Sequence, residues 1–131
     1  MSTMRNTKVL IVDDEALLRA TLCRGLTKAG FDVAEASDGI EALTQALAFG
    51  PEIAFLDIVM PRKEGLQAIL ELRRRFPRLK MIAMSGAGML SAINVLDAAT
   101  FLGANATLPK PFRISEAIAA ARRLQGGLAA A

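Results

Sequence analysis

The chain has 131 residues, 53% apolar and 22% charged, with 16 basic against 13 acidic side chains and a net charge of +3. That length suits one domain with its own core, the composition is globular and not disordered, and the charge is far from the basic stripe of a nucleic-acid binder. There is no histidine, which excludes imidazole metal sites, histidine general bases and phosphohistidine on this chain, and the single Cys23 excludes an internal disulfide and fits a reducing compartment. With no signal peptide and no run of about 18 apolar residues, the expectation is a cytoplasmic protein without membrane or nucleic-acid partners.

Strand-like and helix-like segments alternate along the chain. Val9–Val12 is a short β-branched run, a buried strand. Leu18, Leu22, Leu26 and Ala29 mark a helix stopped at Gly30, and Phe31–Ala36 is the second strand. Asp38-Gly39-Ile40-Glu41 reads as a capping box opening a helix with an apolar stripe of Ile40, Leu43 and Leu47, broken at Gly50-Pro51. Ile53–Leu56 is the third strand, followed by a loop over 57–64 and a helix over 65–76 ended by Pro77. Lys80–Met84 is the fourth strand and 85–90 a loop; Ile93, Leu96, Ala99 and Leu102 mark a fourth helix closed by Gly103. Ala104–Leu108 is the fifth strand, and Ile114, Ala117, Ile118, Ala121 and Leu124 mark the last helix. Five βα units with continuous apolar strands predict an α/β fold, a doubly wound five-stranded parallel sheet.

Open parallel sheets bind ligands beyond the carboxyl ends of their strands. Asp13 and Asp14 follow the first strand, Asp57 the third, Ser85 the fourth and Lys110 the fifth, whereas the second ends in Ala36-Ser37. In a 2-1-3-4-5 order the first and third strands are neighbours, and three carboxylates meet. Such a group is awkward without a hard divalent cation, and oxygen-only ligands favour Mg²⁺. Lys110 adds a positive charge and Ser85 a hydroxyl donor, so that a phosphoryl group would be surrounded with Asp57 as its nucleophile.

These residues carry a family resemblance. Val9-Leu-Ile-Val-Asp-Asp-Glu15, Phe55-Leu-Asp-Ile-Val-Met-Pro61 with Gly65, Met84-Ser-Gly86, Leu102-Gly-Ala104 and Leu108-Pro-Lys-Pro-Phe112 are similar to the motifs of the receiver domain of bacterial two-component response regulators, which has the CheY-like fold. The resemblance covers roughly residues 8–124, leaving short tails at 1–7 and 125–131. It implies that Asp57 is the phosphoacceptor, that Asp13, Asp14, Asp57 and the backbone carbonyl of Val59 form the Mg²⁺ site with Asp14 the direct ligand, and that Ser85 and Lys110 bind the phosphoryl group. It also implies a cis Lys110-Pro111 bond, a phosphoryl donor that is a histidine kinase or a histidine phosphotransfer protein, and a downstream protein target on the face of the fourth helix, fifth strand and last helix. The expected product is a signalling switch, catalysing only its own phosphorylation and dephosphorylation, and at this length a stand-alone regulator.

The chain departs from the family pattern at three places. Thr107 stands where an aromatic is common, which points to a switch borne by Ser85, the loop over 85–91 and the fourth helix. Glu64 replaces a shorter polar residue. Val59 gives an attacking water no hydrogen bond, so the phosphoryl lifetime is not shortened by that side chain. A Mg²⁺-dependent phosphohydrolase would need an acid at Val59, and a nucleotide-binding domain would not place two aspartates after its first strand. A phosphorylation-independent interaction module would be expected to lose one of the site groups. Arg73-Arg74-Arg75, Arg78 and Lys80 read as a solvated helix end, with docking of an acidic partner as the alternative.

Overall fold

The computed structural model describes residues 6–58, 65–85, 97, 99–100 and 103–129. Five strands, β1 (Lys8–Val12), β2 (Asp32–Ala36), β3 (Ile53–Asp57), β4 (Lys80–Ser85) and β5 (Ala106–Pro109), pair in parallel in the order β2-β1-β3-β4-β5. The helices with described bounds are α1 (Ala16–Lys28), α2 (Gly39–Phe49), α3 (Gly65–Arg75) and α4 (Ile114–Ala129), the last occupying the place of the fifth predicted helix. Of the helix expected over 93–102, Asp97, Ala99 and Thr100 are helical; its other residues, with Val59, Glu64 and the loop beyond Ser85, lie outside the described residues.

The pleat divides the interior into two cores, because successive side chains on a strand point to opposite faces. Leu10, Val12, Ala54, Leu56, Met81 and Ala83 pack against α2 and α3 through Ala42, Ala46, Ala68, Ile69 and Leu72. Val9, Ile11, Ile53, Phe55, Ile82 and Met84 pack against α1 and α4 through Leu22, Leu26, Ala117 and Ala121. All of β3 is buried, as a central strand covered on both faces requires, whereas the edge strand β2 is largely half-exposed.

Several boundaries and one face differ from the sequence expectation. β3 and β4 each run one residue further, so that Asp57 and Ser85 are strand residues. β5 starts at Ala106 instead of Ala104, since the amides of Gly103 and Ala104 still close back on the Ala99 carbonyl at the preceding helix end. α4 continues past Leu124 to Ala129; Gln125 donates to the Thr7 hydroxyl at 2.9 Å, which ties the helix to the start of the chain. In α2 the buried face is Gly39, Ala42 and Ala46, and the apolar stripe faces out at Ile40 and Leu47. The contact with the sheet and α3 is close enough to select small residues over large ones. The capping box does form: Asp38 accepts from the Glu41 amide at 2.8 Å, and the Glu41 carboxylate accepts from the Ser37 amide at 2.8 Å.

Candidate functional site at the carboxyl edge of the sheet

Asp13, immediately after β1, is fully buried, and its amide bonds the Ala36 carbonyl at the end of β2. Its carboxylate is doubly engaged: one oxygen accepts from the Glu15 amide at 2.8 Å and the other from Lys110 Nζ at 2.9 Å. Asp14 is exposed beside it. Asp57, the last residue of β3, is buried and lies 3.3 Å from the same ammonium. Ser85 ends β4 fully buried, and its carbonyl accepts from the Lys110 amide at 2.8 Å, fixing the start of the β5–α4 turn against the neighbouring strand. The Lys110-Pro111 peptide bond is cis. Thr107 is exposed on β5, and Val59 is outside the described residues.

One carboxylate oxygen from each of Asp13, Asp14 and Asp57 falls within 4.8 Å of the others. Three negative charges face one ammonium, so the cluster carries a net charge near −2. Burial alone would lower the Lys110 pKa, but the hydrogen bond it donates to Asp13 and the charges of Asp57 and Asp13 outweigh it and hold the ammonium above the usual lysine value. Hard oxygen donors at the mouth of a buried acidic cluster match the donor set of a hard divalent cation. The exposed Asp14 leaves a carboxylate accessible to such an ion.

One supporting residue escapes the sequence reading. Arg19 donates from Nη1 to the Asp13 carbonyl at 2.7 Å and from Nε to Glu35 at 3.0 Å, clamping the Asp13–Glu15 turn between α1 and β2. The signal was an arginine in the first turn of a helix, where the macrodipole disfavours a cation lacking another partner.

A doubly wound sheet with an acidic cluster, a hydroxyl and an ammonium at its strand ends is a narrow structural class. Residues 9–122 match the model of the response regulator receiver domain. The response regulator MprA of Mycobacterium avium is 36% identical over 118 residues, which is 89% of this chain and 50% of that protein, and MprA of Mycobacterium tuberculosis gives the same figures. The chain thus spans about half the length of these curated relatives. The receiver domain of NtrX from Brucella abortus superposes with a TM-score of 0.82 at 31% identity, covering 88% of this chain and 95% of that one. The chemotaxis protein CheY4 of Vibrio cholerae does so with a TM-score of 0.82 at 25% identity, covering 90% and 98%. The chain belongs to the response regulator receiver domain family, a family of signalling modules that accept a phosphoryl group on aspartate. Among the described residues no helix is long and apolar enough to cross a membrane.

Proposed function

We propose that Asp57 accepts a phosphoryl group from a phosphohistidine on a histidine kinase or a histidine phosphotransfer protein. The observation that carries this reading is the convergence of Asp13, Asp14, Asp57 and Lys110 at one strand edge, with Asp57 buried and bonded to the ammonium. A carboxylate oxygen of Asp57 attacks phosphorus as the P–N bond to the donor imidazole breaks, and the leaving nitrogen takes its proton from solvent. Lys110 moves from Asp57 to a phosphoryl oxygen while keeping Asp13 as its anchor, and the Ser85 hydroxyl donates to another. Asp13, Asp14, Asp57 and the Val59 carbonyl are the groups that would hold Mg²⁺. Both Asp13 oxygens already accept hydrogen bonds, which leaves the exposed Asp14 as the direct ligand on that side. When bound, the ion supplies positive charge to the phosphoryl oxygens.

Hydrolysis of the acyl phosphate by water returns the carboxylate and releases phosphate, and Val59 offers that water no hydrogen bond. With Thr107 exposed and not aromatic, Ser85 and the loop after it bear the switch, and the downstream protein binds the face of β5, α4 and the helix before β5. The test is incubation with acetyl phosphate and Mg²⁺ followed by intact-mass measurement. One phosphoryl adduct is expected on the native chain and none on Asp57→Asn; equal modification of both overturns the assignment.

A further inference from the structure

Helix α2 turns its small residues inward and its large ones outward. Gly39, Ala42 and Ala46 are buried, whereas Ile40 is 53% and Leu47 is 65% exposed, with Leu43 half-buried between them. Steps of three and four residues place Ile40, Leu43 and Leu47 on one face. Leu43 of this stripe lines a groove of about 490 Å³ between α2 and α3, together with Glu71, Arg74 and Arg75. Arg74 and Arg75 are exposed. Singly exposed apolar residues are ordinary on a surface, but a row along a groove with a charged rim marks a contact surface.

We propose that this face docks an amphipathic helix of a protein partner, its apolar side chains on Ile40, Leu43 and Leu47 and its acidic side chains against Arg74 and Arg75. A valley between two helices accepts a third laid along it, and the row offers two helical turns of apolar anchors. The rim sets the partner's charge: on the α3 side two exposed arginines outnumber Glu71, while α2 carries no lysine or arginine at all. The required polarity is therefore apolar towards α2 and acidic towards α3. A nucleic acid fits poorly, because among the described residues no aromatic side chain lines the groove, and two arginines beside Glu71 offer few phosphate contacts. The inference stands on α2 and α3 alone and holds whether or not Asp57 is the phosphoacceptor.

The probe is a fluorescein-labelled helical peptide of about 14 residues with leucines spaced three and four apart flanked by glutamates, and a twin with lysines in their place. Anisotropy with the full chain should show the glutamate peptide binding at least about tenfold tighter than its twin, and amide shifts should map to α2 and α3. Ile40→Ser with Leu47→Ser should weaken it about tenfold, and Arg74→Glu with Arg75→Glu should reverse the preference between the peptides. All four side chains are exposed, so the variants keep the native circular dichroism spectrum. Equal affinity for the two peptides, no binding up to about 1 mM, or shifts on α1 and α4 would overturn the proposal. So would sedimentation showing self-association that Leu47→Ser abolishes, since the occupant would then be a second copy.

Discussion

Lys110 bridges two buried carboxylates with one ammonium, and that sharing makes it the most sensitive side chain of the site. Replacing it by Met leaves Asp13 and Asp57 facing each other, at a cost of about 3 kcal/mol at pH 7 measured by urea denaturation without divalent cations. In the native chain the folded pKa of Lys110 is raised above its unfolded value. Its stabilisation is therefore complete below about pH 10.4 and fades as pH rises through the folded value, a loss that Lys110→Met should not show. Cys23 is a second case. Burial first, then a hydrogen bond donated to the Glu35 carboxylate and its charge, push the thiol pKa up. Alkylation by iodoacetamide at pH 8 should be at least about tenfold slower in the native chain than in denaturant; equal rates would show an accessible thiolate.

Between helices, α1 and α4 approach closely at Gly25. A methyl group added at Gly25 would lie 2.5 Å from Ile114 Cγ2, and the branched Ile114 has little freedom to turn away. Gly25→Ala gains about 1 kcal/mol of helix propensity but overpacks by more, so thermal denaturation should show net destabilisation. With Ile114→Ala in the background the same substitution should become stabilising. α3 is fastened differently: Arg73 donates to the Pro77 carbonyl, the Gly103 carbonyl and Asn105 Oδ1 at 2.7–2.9 Å, and Asn105 Oδ1 also accepts from the Met81 amide. Within the run Arg73–Arg75, one residue is thus a fastener and two line a groove, a distinction that the identical side chains hide in the sequence. Strands are legible because Val9–Val12 and Ile53–Leu56 satisfy both the period and the burial of a covered sheet. The outward turn of Ile40 and Leu47 is not legible, because a helical stripe shows which residues share a face but not which neighbour the helix presses against. The site residues are legible for a topological reason: in a parallel sheet, position immediately after a strand is position at the functional edge.

The assembled cluster joins residues as distant in the chain as Asp13 and Lys110, so cation binding should report on the whole fold. Mg²⁺ at a hundred times its dissociation constant should stabilise the protein by about 2.7 kcal/mol, read as a rise of several degrees in Tm that chelation reverses. Asp14→Asn removes an exposed carboxylate at little structural cost and should abolish most of that rise; an undiminished rise would place the cation elsewhere.

The sheet that separates the two cores also partitions the energetics of the molecule. Phe55 and Leu56 are adjacent in the chain yet belong to opposite compartments. Truncations at the two positions should sum to within about 0.5 kcal/mol, whereas Val12 and Leu56, paired across β1 and β3 within one compartment, should not. Each half of the interior can then drift in sequence without disturbing the other. A partner bound on α2 and α3 would influence one bound on α4 chiefly through the rim where both compartments end, at Asp57 and Ser85.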